Sequence, residues 1–152
     1  MQLSNSFWLN EFTRSQTAAR RNIDNSPSNV HIANMRALAT NILQLVRDKH
    51  GVTNITSGYR SPNLNAAIGG STTSQHSNGE AADFHCPGIG NRALAEWIRD
   101  NLDFDQLILE FPGENPWDGW VHCSYKSSGK NRKSVLTAVK QNGKTVYLQG
   151  IQ

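Results

Sequence analysis

Two histidines and an aspartate are spaced so that they could hold one metal ion. His76 and Asp83 belong to one polar segment, with six residues between them, and His122 follows 39 positions after Asp83 in a β-prone run. Three protein ligands and one open coordination position are what a catalytic zinc ion requires. The sequence therefore predicts a site for one Zn²⁺, although the same donors also suit other divalent ions.

Such a site could hydrolyse an amide bond at neutral pH. Zinc lowers the pKa of a bound water to about 7 and polarises a carbonyl group. A nearby carboxylate must then take the proton of that water and pass it to the leaving amine. Glu110 is the leading candidate for this base, because alternation along two β-prone runs can bring it close to His122. Asp118 and Glu114 are the alternatives.

The predicted strands determine which of these side chains share a face. Alternation along Ala81–Cys86 puts Asp83 and His85 on the same face of that strand. An aspartate at such a position is costly unless it is paired or bound to a cation. His85 is therefore a further candidate, either supporting the ligands or contacting substrate. Trp120 shares a face with His122 and could form a wall of the cleft, or it could be a core residue.

The remaining pattern predicts helices that cover a small antiparallel sheet. Apolar residues recur at three- and four-residue steps along a helix of about twenty residues that ends at Gly51, and Asn91–Asn101 forms a second amphipathic helix. A capping serine and Pro62 begin a short helix just after Arg60. The last segment contains an Asn-Gly turn signal, which predicts a hairpin. We therefore expect one α+β domain over residues 1–152.

Composition indicates a globular chain. Hydrophobic residues make up 37% and charged residues 18% of the 152 residues, and no apolar run approaches the roughly 18 residues of a membrane span. The first residues lack the basic and apolar segments of a secretory signal, so export is expected to require lysis, a holin-type pore or assembly into a larger particle. Cys86 and Cys123 are too few for a disulfide framework and are expected to be buried thiols.

The net charge of +3 conceals a basic C-terminal segment. From Gly119 onward there is no acidic residue, and the six basic residues are Lys126, Lys130, Arg132, Lys133, Lys140 and Lys144. The positive electrostatic potential of this segment favours a polyanion as partner, either nucleic acid or an anionic wall polymer. A solvated hairpin with ordinary lysines would have the same composition.

Several motifs occur in an order that resembles one enzyme family. They are Ser57-Gly58-Tyr59-Arg60-Ser61-Pro62, Ser74-Gln75-His76, Gly79-Glu80-Ala81-Ala82-Asp83 and Trp120-Val121-His122. This series resembles the zinc D-alanyl-D-alanine carboxypeptidase family, which includes phage L-alanyl-D-glutamate endopeptidases and shares its fold with the hedgehog signalling domain. The resemblance covers about residues 29–125 and leaves residues 126–152 as a basic C-terminal hairpin.

The resemblance implies a role for each matching residue. The zinc ligands would be His76, Asp83 and His122. Arg60 would engage a carbonyl or carboxylate of the substrate and steady the developing oxyanion. Ser74 is similar to a serine that helps to hold substrate, and we assign Gln75 beside it to the same group.

One position departs from the family pattern. Many members carry a glutamate three residues before the last histidine, where this chain has Gly119. The resemblance therefore does not supply the general base. The preference for Glu110 over Asp118 depends on the predicted facing strands.

The resemblance implies hydrolysis of a peptide bond in bacterial peptidoglycan, by a carboxypeptidase or an endopeptidase. We expect a phage or prophage endolysin, or a tail-associated wall hydrolase, made in the host cytoplasm and acting on the wall after release or within a particle. Its partners would be peptidoglycan peptide stems, with anionic wall polymers at the basic hairpin; no membrane partner is expected, and nucleic acid is not favoured. The alternatives are an inactive zinc-bearing binding module, a structural phage-particle protein and a nucleic-acid binder.

Overall fold

Helices cover one face of a β-sheet, and their ends follow from capping residues and apolar spacing. In the computed structural model, which describes all 152 residues, they are α1 (Leu9–Thr13), α2 (Gln16–Arg21), α3 (Asn29–Leu38), α4 (Gln44–His50), α5 (Pro62–Ala67) and α6 (Asn91–Asn101). A π-helical stretch, Ala39–Leu43, joins α3 to α4 and completes the long helix predicted from the sequence. Gly51 ends it at a φ of 83°, a conformation that favours glycine. None of the helices is long and apolar enough to cross a bilayer.

Six strands form one mixed sheet in the order β1-β2-β4-β3-β5-β6. They are β1 (Asn54–Ser57), β2 (Ala81–His85), β3 (Gln106–Glu110), β4 (Trp120–Ser124), β5 (Ser134–Gln141) and β6 (Lys144–Gln149). Neighbouring strands are antiparallel except β3 and β5, which run parallel. The prediction of an antiparallel sheet is correct for β1 to β4. Because β4 is antiparallel to β3, it ends beside the start of β3. The chain then connects to β5 at that same end, so β5 runs parallel to β3.

Side-chain alternation gives the sheet two different faces. The face that packs on the helices is apolar and fully buried, and it carries Phe84, Leu107, Leu109, Val121 and Cys123. The other face carries a row of residues paired in register across β2, β4 and β3, namely Asp83, His122 and Ile108. The polar candidates therefore lie together on the open face, and Cys123 points away from them into the core, as predicted.

The C-terminal hairpin extends this open face by two strands. Its turn at Asn142 and Gly143 has positive φ angles of 51° and 76°, as the Asn-Gly signal predicts. Glu110 on β3 is paired in register with Ala138 on β5, which is paired with Tyr147 on β6. Because residues paired in this way share a face, Tyr147 lies on the same side of the sheet as Glu110.

Candidate metal centre

His76, Asp83 and His122 converge on the open face of the sheet. Their donor atoms all lie within 4.8 Å of one another. Asp83 Oδ1 is 3.4 Å from His76 Nε2 and 2.9 Å from His122 Nδ1. The structure thus brings together the three residues predicted as ligands, from a 3₁₀ turn at Gln75–Asn78, from β2 and from β4.

The backbone around His76 holds its imidazole in the form that binds metals. His76 Nδ1 lies 2.7 Å from the carbonyl oxygen of Gly58. Because a carbonyl can only accept, Nδ1 carries the hydrogen and Nε2 is left facing Asp83. Burial lowers the pKa of His76, although Asp83 opposes this shift. The neutral imidazole is the form that can act as a ligand.

Asp83 is an ionised carboxylate in a largely buried setting. Burial by itself would raise the pKa of Asp83, but hydrogen bonds with His122 and His76 outweigh it and hold that pKa well below its usual range. The side chain is only 15% exposed. A buried carboxylate of this kind requires a cationic partner. Two imidazoles and one carboxylate around an open cleft fit the donor set of a catalytic zinc site.

The three candidate ligands lie in a cleft of about 580 Å³. Its floor follows one face of β3, along Gln106, Ile108 and Glu110. The four residue steps from Gln106 to Glu110 span roughly 13 Å. The other side chains of this cleft that concern the chemistry are Arg60, Ser74, Gln75, Trp120, Arg132 and Tyr147. A second cavity of about 650 Å³ also touches Arg60 but contains none of the three ligand candidates. The chemistry therefore belongs to the cleft along β3.

Glu110 is the carboxylate in this cleft that is free to act as a base. It is paired in register with Trp120, which is two residues before His122 on the same face of β4. Burial raises the pKa of Glu110 and the Asp83 carboxylate adds to this effect, whereas His122 and Arg60 oppose it. A carboxylate with a raised pKa can both accept and return a proton near neutral pH.

The alternative base Asp118 and the candidate His85 lie outside the cleft. Asp118 is exposed in the β3–β4 loop, where its carboxylate accepts a hydrogen bond from the backbone N–H of Asn115 at 3.1 Å. This carboxylate stabilises its own turn and does not border the cleft. His85 Nε2 lies 3.4 Å from Asn54 Nδ2, toward the edge strand β1. The alternation that put His85 on the Asp83 face was correct, but the cleft does not extend that far along β2.

Position 119, where the resemblance would place a glutamate, has no room for a side chain. Its φ is 72°, and a Cβ added at this position would collide with the backbone carbonyl oxygen of Glu110. Since the obstruction is backbone, it cannot move aside as a side chain could. In this backbone no residue with a side chain fits at position 119, and the carboxylate of the cleft comes from β3 instead.

We expect Gly119→Ala to destabilise the fold by about 2 kcal/mol or more, because it combines an unfavourable φ with a backbone collision. Chemical denaturation measures the change in the free energy of unfolding. Gly143→Ala is the matched control, because Gly143 has a φ of 76° but nothing within 4 Å of its added Cβ. Equal losses in the two variants would show that the collision has no cost.

Arg60 reaches the cleft from the turn after β1. Its backbone N–H donates to the His76 carbonyl oxygen at 3.1 Å, and its Nη2 donates to Ser74 Oγ at 3.4 Å. Burial lowers the pKa of the guanidinium, while the Asp83 and Glu110 carboxylates raise it. Its Nε is buried without a partner in the chain. Arg60 is therefore a fixed donor beside the ligands, available to an oxygen atom of a substrate.

Trp120 and Gln75 line the cleft in different ways. The Trp120 ring lies 5.5 Å from that of Phe111, and its Nε1 is buried without a partner. It is half-buried in the cleft wall and not in the main core. Gln75 also borders the cleft, but its amide donates to Asp105 Oδ2 at 3.0 Å, so it supports the wall.

Asp105 is a buried anchor that sequence reasoning did not identify. Its carboxylate is fully buried and accepts hydrogen bonds from Arg132 Nε at 3.1 Å and from Arg132 Nη2 at 2.8 Å. Lys126 Nζ lies 3.7 Å from the same carboxylate. No local signal marks Asp105, because its partners depend on how the C-terminal segment folds back on β3. Arg132 and Tyr147 were missed for the same reason.

We expect Asp105→Asn to destabilise the protein by about 2 kcal/mol at pH 7, since charged hydrogen bonds to Arg132 are lost. Burial favours the neutral acid, but the hydrogen bonds from Arg132 and Gln75 hold the pKa of Asp105 below its ordinary value. A depressed folded-state pKa contributes stability above the unfolded pKa of about 4, and this contribution is lost as the pH falls further. Denaturation at several pH values should show the two proteins converging in acid. A constant difference would contradict this role.

Comparison with known families gives one match. A family model described as Peptidase M15 matches residues 5–124. A search of curated proteins finds no match. The matched region contains the three candidate ligands together with Arg60 and Glu110, and it ends before the C-terminal hairpin.

Proposed function

Because the chain belongs to the peptidase M15 family, we propose that it is a zinc peptidase that hydrolyses a peptide bond in bacterial peptidoglycan. The observation that carries this proposal is the convergence of two imidazoles and a carboxylate beside Glu110 and Arg60 in one cleft. This arrangement supplies a metal site, a base and an oxyanion donor within reach of one bound peptide bond.

His76, Asp83 and His122 would hold the Zn²⁺, which when bound supplies Lewis-acid polarisation of a carbonyl and acidification of water. Glu110 takes a proton from the attacking water and delivers it to the nitrogen of the leaving amine as the C–N bond breaks. Burial raises the pKa of Glu110, which favours its holding the proton until the amine leaves. Arg60 donates to the carbonyl oxygen of the scissile bond, where negative charge develops.

The walls of the cleft position an extended peptide. The floor along β3 is roughly 13 Å long, enough for three or four extended residues. Trp120 offers an apolar surface beside Glu110, against which a side chain of the peptide can pack. The presence of Glu110 in the cleft favours an enzyme over an inactive zinc-bearing binding module, because a binding module needs no base.

The biological setting that fits best is a phage or prophage endolysin, or a wall hydrolase of a phage tail. The basic C-terminal segment supports this part of the proposal. Six basic and no acidic residues after Gly119 would attract anionic wall polymers and lengthen residence on the wall. This attraction would not select the bond that is cut.

Incubation with purified peptidoglycan sacculi tests the function. We expect soluble fragments with new amino termini, identified by mass spectrometry, and we expect them to disappear when a chelator is added. Release of single terminal residues would identify a carboxypeptidase, and new internal termini would identify an endopeptidase. A zinc-loaded protein that releases nothing from sacculi of several wall types would refute the proposal.

A further inference from the structure

Arg132 is a cleft residue that lies outside the segment matched by the family model. It belongs to the connection between β4 and β5, and it borders the same cleft as the three candidate ligands. Its backbone N–H, Nε and Nη2 all donate to the buried carboxylate of Asp105. These three hydrogen bonds fix both the main chain and the guanidinium plane of Arg132, although the side chain is 56% exposed.

Arg132 keeps donors and charge available for a ligand. Its Nη1 group makes no hydrogen bond to any acceptor in the chain, and Nη2 uses one of its two hydrogens on Asp105. The single negative charge of Asp105 is shared with Lys126, whose Nζ lies 3.7 Å away. One carboxylate therefore faces two cations, which leaves an excess positive charge at this end of the cleft.

The position of Arg132 relative to the ligands follows from β3. Asp105, which holds Arg132, immediately precedes Gln106 at the start of the cleft floor. Ile108, two residues further along, is in register with His122, and Glu110 lies two residues beyond that. Asp105 is three residues before Ile108, so Arg132 is held roughly 10 Å along the strand from the row of ligands, on the side opposite to Glu110.

We propose that Arg132 binds a free carboxylate of an acidic peptide substrate and so determines which peptide bond faces the ligands. This inference rests on the proposed function, because it concerns the same cleft. A guanidinium with two adjacent N–H groups free matches the geometry of a carboxylate. Arg60 then serves the scissile carbonyl while Arg132 anchors the substrate about three residues away. The bond that is cut should have a free carboxylate at that distance.

The test uses the zinc-loaded full chain and a stem peptide, Ala–γ-D-Glu–Lys–D-Ala, in which each carboxylate in turn is converted to a carboxamide. Binding is read from tryptophan fluorescence in a stopped-flow instrument before turnover, and kcat/KM is read from cleavage. Amidation of the contacted carboxylate should weaken binding to the wild type by about tenfold. Arg132→Gln should bind the acid and the amide equally.

Lys126→Gln is the matched control, because Lys126 pairs with the same Asp105 but does not border the cleft. It should keep the preference of the wild type for the acid. Thermal melting of Arg132→Gln tests whether the fold persists, and Arg132→Lys should retain part of the preference through its charge. An unchanged acid preference in Arg132→Gln, or none in the wild type, would overturn the inference. A wild type that prefers the acid yet cleaves neither peptide nor sacculi would instead count against the proposed function.

Discussion

His76→Ala is expected to abolish high-affinity zinc binding and to reduce cleavage of sacculi by more than about 100-fold. That figure is the upper end of the loss seen when a group merely supporting a ligand is removed, and loss of a ligand itself should exceed it. The Gly58 carbonyl binds Nδ1 of His76 and leaves Nε2 facing Asp83. The substitution therefore removes one defined donor atom from the proposed site. Zinc content after dialysis and the rate of fragment release measure the two effects.

His85→Ala is the control for this experiment. His85 lies on the same strand as Asp83 but outside the cleft, and its ring nitrogen is near Asn54. The variant should bind zinc and cleave as the wild type does. Circular dichroism of His76→Ala is needed as well, because removing a buried imidazole leaves the Gly58 carbonyl without its partner. A folded His76→Ala protein with unchanged zinc affinity would contradict the ligand assignment.

Glu110→Gln should lower kcat by about 10²- to 10⁴-fold while zinc binding is retained. The amide has nearly the shape of the carboxylate but cannot accept the proton of the attacking water. Zinc content and steady-state cleavage, measured on the same preparation, separate the loss of a base from the loss of the metal. KM should change less than kcat, since Glu110 acts on the proton and not on the peptide backbone.

Asp118→Asn completes this comparison, because Asp118 is one of the two alternative carboxylates proposed from sequence. It accepts a hydrogen bond from the Asn115 backbone in an exposed loop, so its replacement should leave the rate nearly unchanged. If Asp118→Asn were inactive and Glu110→Gln active, the assignment of the base would be reversed.

The parts of the site that were predictable from sequence are those with local determinants. His76 follows a capping serine, Ser74, which accepts a hydrogen bond from the His76 backbone. Asp83 and His122 belong to strands whose alternation places them on the open face. Glu110 required one further assumption, that β3 and β4 pair, and this pairing is observed.

The parts that were not predictable depend on long-range register. The parallel pairing of β3 with β5 brings Arg132 and Tyr147 to the cleft, and nothing near either residue in the sequence indicates it. The use of the Asp118 carboxylate in the structure was likewise not predictable, because it accepts a hydrogen bond from the Asn115 backbone within the β3–β4 loop. The lack of room at Gly119 also depends on the fold, because the backbone carbonyl of Glu110 occupies the space of a side chain.

The most direct test of the zinc centre is a metal titration of chelator-treated protein on sacculi. Fragment release should be absent without metal, should rise with added Zn²⁺ and should reach its plateau at one equivalent per chain, because His76, Asp83 and His122 provide one site. Cleavage that persists in metal-free protein, or that continues to rise well beyond one equivalent, would contradict a catalytic zinc held by these three residues.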